Sequence, residues 1–142
     1  MKTDRQHLKQ ILTTILVGAI LTIGASLSLA QTTNMICSAA EAISCAKDGE
    51  CIRGPVDKVN LPLFFKVDFT QQMVYSMTEA GEKRNSPIAS SQSKEGSIVI
   101  LGSDPGVGWS MVINETTGLM TLGVAETTVG YTIFGACIKD GE

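Results

Sequence analysis

From Leu61 onward the apolar positions of this chain recur at every second residue. In the run Leu63-Phe64-Phe65-Lys66-Val67-Asp68-Phe69, residues Leu63, Phe65, Val67 and Phe69 share one parity, while Lys66, Asp68 and Thr70 take the other. That alternation belongs to a strand with one face against a core. Similar short runs follow at 73–77, 88–90, 97–101, 109–114, 119–124 and 131–138. Between them stand turn formers: Glu79-Ala80-Gly81, Lys94-Glu95-Gly96, Asp104-Pro105-Gly106, the stretch 114–118, and Gly130. The pattern predicts an all-β fold, an antiparallel meander of about seven short strands forming a sandwich or a partly closed barrel, because such connections are too short for crossover helices. One face should bury Leu63, Phe65, Val67, Phe69, Ile98, Ile100, Trp109, Met111, Ile113, Leu122, Ile133 and Phe134. Residues 31–60 read as a short irregular or helical arm, with a helical turn or two expected within 35–46 from its Ser38-Ala39-Ala40-Glu41-Ala42 run.

Ahead of that arm the pattern changes to an unbroken apolar block. Lys2, Arg5 and Lys9 precede twenty positions, 11–30, that carry no charge and close on Ser28-Leu29-Ala30 before Gln31. A basic start, an apolar middle and small residues at the end are the parts of a secretory leader, so residues 1–30 are expected to be a signal peptide cleaved after Ala30. An uncleaved anchor is the competing reading, since about 20 apolar residues can span a bilayer; Gly18, Gly24, Ser26 and Ser28 weaken it. The mature protein would then be periplasmic or secreted and free of the membrane, with 31–142 as one folded unit whose β domain covers 61–142.

Charge and cysteines narrow the chemistry. The chain of 142 residues has a net charge of −3, and loss of a basic leader makes the remainder more acidic. Nucleic acid is therefore not an expected partner, because its backbone rewards a basic patch. Cys37, Cys45, Cys51 and Cys137 all lie beyond the leader, where an oxidising compartment favours disulfides. None of their spacings is the C-x-x-C of a zinc site, and no metal or other cofactor is expected. Four cysteines allow three connectivities. The turn-forming Asp48-Gly49 makes a local Cys45–Cys51 bridge natural, which leaves Cys37 for Cys137.

The single histidine, His7, lies in the leader, so the domain lacks the commonest general base. The glycine-rich run 102–108 precedes a tryptophan-containing segment rather than a helix, which suits a hairpin and not a phosphate loop. Asp57, Asp68, Glu79, Glu82 and Glu115 read as solvated carboxylates, since environment and not presence makes a catalytic acid. Ser86, Ser90, Ser91 and Ser93 have no histidine to activate them; Ser91 and Lys94 have the S-x-x-K spacing but sit in a polar loop. The sequon Asn114-Glu115-Thr116 matters only in a eukaryotic secretory host. No catalytic residue is assigned. Trp109 shares its parity with Met111 and Ile113, as a core residue would, and its alternative role is contact with a ligand or partner.

Several segments, taken in order, carry a resemblance: Phe65-Lys66-Val67-Asp68-Phe69, Ser86-Pro87-Ile88, Gly108-Trp109-Ser110, Thr117-Gly118 and Phe134-Gly135-Ala136-Cys137. Across about residues 51–138 the chain resembles small exported bacterial β-sheet proteins of unassigned function. The resemblance implies export and a β fold, and carries over no site residues.

These observations favour a non-enzymatic, disulfide-stabilised binding or interaction module whose loops meet a protein or envelope component. A carrier of a small apolar ligand is the alternative, with Phe64, Phe69, Trp109 and Phe134 expected to line the interior, and a barrel of about eight strands is the smallest that can do this. A carboxylate-based hydrolase without histidine is the third reading. A sizeable apolar cavity would favour the carrier, a flat exposed patch the interaction module, and two close carboxylates in a pocket the hydrolase.

Overall fold

The chain's structure, a computed structural model, describes residues 33–59, 61–77 and 83–141. The expected leader, its cleavage point, Glu79 and Glu82 lie outside the described residues. Nine strands are present among those described: β1 Met35–Ala46, β2 Cys51–Pro55, β3 Phe64–Asp68, β4 Met73–Met77, β5 Lys83–Lys94, β6 Ser97–Asp104, β7 Val107–Asn114, β8 Leu119–Glu126 and β9 Val129–Lys139. All neighbouring pairs are antiparallel. From β3 to β9 each strand pairs with the next, and β1 closes the ring.

Closure rests on the two edges of β1. One edge pairs along its whole length with β9, from Met35↔Lys139 to Ala46↔Val129. The other edge is shared: Met35 to Ser38 pair with β3, and Glu41 to Cys45 pair with β2. The result is an eight-stranded barrel of β1 and β3 to β9, with β2 as an extra hairpin strand beside it. Closure removes the sheet edges that a sandwich would have to protect.

The segment expected to be a helical turn is thus the strand that closes the fold. Its alanines favour helix, but Met35, Cys37 and Ala39 alternate onto the core face at 6%, 0% and 2% exposure. Pairing on both edges satisfies the backbone in a way no isolated turn could match, so tertiary context outweighs propensity. A β-bulge at Ala40, between Ala39↔Gly135 and Glu41↔Phe134, shifts the parity so that Ala42 also points inward. Gly135 permits that bulge, because a side chain there would collide with the Ser38 carbonyl and with Met120.

The barrel interior is packed by side chains from around the ring. Val67, Ile100, Met111, Ile113 and Ile133 are each at most 1% exposed, with Phe65, Phe69 and Ile98 close behind. Two expected core residues lie elsewhere. Leu63, 42% exposed, precedes the first paired residue of β3, and Phe134, 39% exposed, takes the parity opposite to Ile133 and faces out. Turn chemistry fits the tight hairpins: Glu95 and Gly96 both adopt positive φ between β5 and β6, and Gly106 follows Pro105 with φ of 80° between β6 and β7.

Candidate functional site at the open end of the barrel

The packed core does not reach one rim of the barrel. There a cavity of about 470 Å³ opens between β3, β4, β5, β6, β7 and β8, under the Leu61-Pro62 connection. Its walls are the inward residues at one end of each strand: Phe65, Val74, Val107, Trp109, Met111, Leu122 and Val124. Polar groups gather on one side, with Ser76, Arg84, Asn85, Ser86 and Asp104 from β4 to β6, and Glu126 stands across from them on β8. An apolar bowl with a few convergent polar groups is the usual make-up of a small-molecule site.

Trp109 organises this end. Its indole crosses to Gly102, its register partner on β6, where a side chain would collide with the ring. The indole N–H donates to Ser86 Oγ at 2.7 Å, and the Ser86 hydroxyl donates to Asp104 Oδ2 at 2.5 Å. This chain satisfies the polar edge of a half-buried tryptophan and fixes the Asp104 carboxylate at the rim. Ser86 therefore acts as a link between two neighbours, with its proton committed to a carboxylate.

The other residues considered for chemistry are dispersed. Lys66 pairs with Asp140 at 2.6 Å. Ser93 donates to Glu115, and Lys94 lies 3.8 Å from Glu95. Asp68 is buried and accepts from the Gln71 backbone N–H at 2.9 Å, holding the β3–β4 turn. Asp57 stands in the 3-10 turn after β2. No group of three or more potential metal-ligating side chains exists among the described residues.

Of the residues expected to line a carrier's interior, Trp109 alone reaches this cavity. Phe69 is packed in the core, and Phe64 and Phe134 face outward at 57% and 39% exposure, because each sits one position off its strand's inward parity. Asp104 and Glu126 had been legible in principle. Each continues the inward parity of its strand, after Ile98, Ile100 and Gly102 in one case and after Met120, Leu122 and Val124 in the other. A charge at an inward position at a strand's end marks where the core gives way to a mouth.

The cysteines form two cross-strand bridges. Cys37–Cys137 joins register partners on β1 and β9 and is buried, while Cys45–Cys51 staples the β1–β2 hairpin at the surface. A second hollow, of about 540 Å³, lies on the outer wall and not inside the barrel; it forms where Gly108, Gly123 and Gly130 place no side chain beside Ile43, Ser110 and Thr132. No family model matches the chain, and a search of curated proteins finds no match either.

Proposed function

We propose that this protein is an exported, non-enzymatic binding domain that takes a small and mainly apolar molecule into the open end of its barrel. The observation that carries the reading is the cavity of about 470 Å³ whose apolar wall and clustered polar rim come from six strands of a rigid closed sheet. Its volume lies in the range of about 300–1,000 Å³ that small ligands occupy. Export is supported by the leader pattern of residues 1–30 and by two disulfides, which suit an oxidising compartment. The resemblance to small exported bacterial β-sheet proteins agrees with this placement. A concave mouth of this size suits a small molecule better than a protein or an envelope polymer.

Trp109, the chain's one tryptophan, stands in the cavity wall and reports on its occupancy. Titration with the uncharged probe N-phenyl-1-naphthylamine should quench Trp109 emission saturably, at one probe per chain. A Val124→Phe variant, which fills the bowl with a larger apolar side chain, should lose that response by tenfold or more while keeping its thermal midpoint. An unsaturable response, or one equal in the variant, would remove the mouth as a binding site.

A further inference from the structure

The four strands β6 to β9 carry three charged residues, and none is on the wall that faces away from the core. Asp104 and Glu126 point into the mouth, and Lys139 ends β9 opposite Met35. Outward positions within 97–103, 108–113, 119–125 and 130–138 are apolar, small or hydroxyl-bearing. The rest of the barrel's outer surface is different: β1 and β2 carry the Glu41–Arg53 pair, β3 carries Lys66, and β5 carries Lys83 and Lys94.

The wall has relief as well as an absence of charge. Toward the mouth lies the hollow of about 540 Å³, floored by Gly108, Gly123 and Gly130. Away from the mouth stand Val112 at 45%, Leu119 at 64%, Phe134 at 39% and Ile138 at 60% exposure. The registers Val112↔Thr121 and Thr121↔Phe134 make that end one continuous surface across three strands.

We infer that this wall binds the same wall of a second copy of the chain, with the two barrels running in opposite directions. Three features choose a copy over another occupant. An acidic chain meeting itself brings like charges together, and a face without charge is the one that can do so without repulsion. A two-fold axis lying between the walls and across the strands sets the protruding end of each wall on the hollow of the other, the self-complementarity an isologous interface requires. The wall's four strands span on the order of 500 Å² from strand spacing and rise, about two thirds of the ~800 Å² that each partner of a standard interface contributes.

The test uses the full chain, expressed with its own N-terminal residues and purified as the cell processes it. Sedimentation at tens of micromolar should give a mass of two copies. Thr121→Lys and Ser110→Arg, both at exposed positions on the wall, should each weaken the dimer at least tenfold and lower the thermal midpoint only as far as the lost association requires, while the far-UV circular dichroism stays as in the unaltered protein. A single-copy mass for the unaltered protein would overturn the inference. So would a dimer indifferent to both variants, or a single copy whose wall is protected from hydroxyl-radical labelling, since residues 1–32 or another molecule would then be its cover.

Discussion

Trp109 and Gly102 illustrate how much of this fold rests on single residues facing each other. A glycine on a strand ordinarily weakens it, but here the missing side chain is the space the indole fills. Gly102→Ala should therefore displace Trp109, shift its emission to the red and cost about 1–3 kcal/mol, as overpacking does; chemical denaturation measures it. Ser86→Ala should cost a similar ~1–3 kcal/mol, because it leaves the indole N–H without its acceptor in a half-buried site. In the β5–β6 turn the strain has the opposite sign: Glu95 holds a φ of 53° that suits asparagine or glycine better. Glu95→Asn should gain up to about 1 kcal/mol, and an unchanged denaturation midpoint would show that the turn is not under strain. Glu41 is held below the usual carboxylate range by hydrogen bonds from Arg53, both at 2.7 Å. A lowered folded-state value means that its stabilisation is present above the unfolded value and fades as the pH falls through the folded one. Glu41→Gln should thus lower the thermal midpoint near neutral pH slightly, and the difference should vanish in acid and shrink in salt.

At the level of strands, legibility followed the alternation. The run 73–77 is β4 to the residue, and 97–101, 109–114, 119–124 and 131–138 all lie within β6 to β9. What alternation could not show was β1, whose small residues resemble a helix and whose parity breaks at the Ala40 bulge, so no single period runs through it. The mouth was hidden for a related reason: parity tells which residues point inward, and the depth at which the core ends is set by how strands stagger around the ring. The two bridges should differ in consequence. In the chain-entropy relation a loop closed over 100 residues stabilises by about 5 kcal/mol and one over 6 residues by about 2 kcal/mol. Replacing Cys37 and Cys137 together by alanine should accordingly lower stability more than replacing Cys45 and Cys51. Under mild reductant, alkylation and mass mapping should find Cys45 and Cys51 modified first, since Cys37 and Cys137 are 0% and 4% exposed.

At the scale of the barrel there are two contrasting surfaces: an interior that opens into a cavity at one rim, and an exterior whose described strands β6 to β9 carry no outward charge while β1, β2, β3 and β5 do. Phe65 lies where the core meets the cavity, so Phe65→Ala should cost about 3–5 kcal/mol in denaturation experiments and enlarge the mouth. The closing pair β1 and β9 has a further effect, which concerns time. The first described strand of the barrel waits for the last one, so as the polypeptide emerges from a ribosome or a translocation pore β1 has no β9 to join until the whole barrel segment is through. Cys45 and Cys51 can be oxidised early, since the hairpin that holds them is local. Cys37 spends that interval as an accessible thiol and can pair wrongly with either neighbour. Ring closure is then a late, non-local event of the kind that makes folding slow, and the Cys37–Cys137 bond records that β9 has been made and has docked. A chain cut short before residue 129 would lack Cys137 and could not seal the ring, and the thiol it left at Cys37 would be a chemical mark by which the unclosed barrel could be told from the closed one.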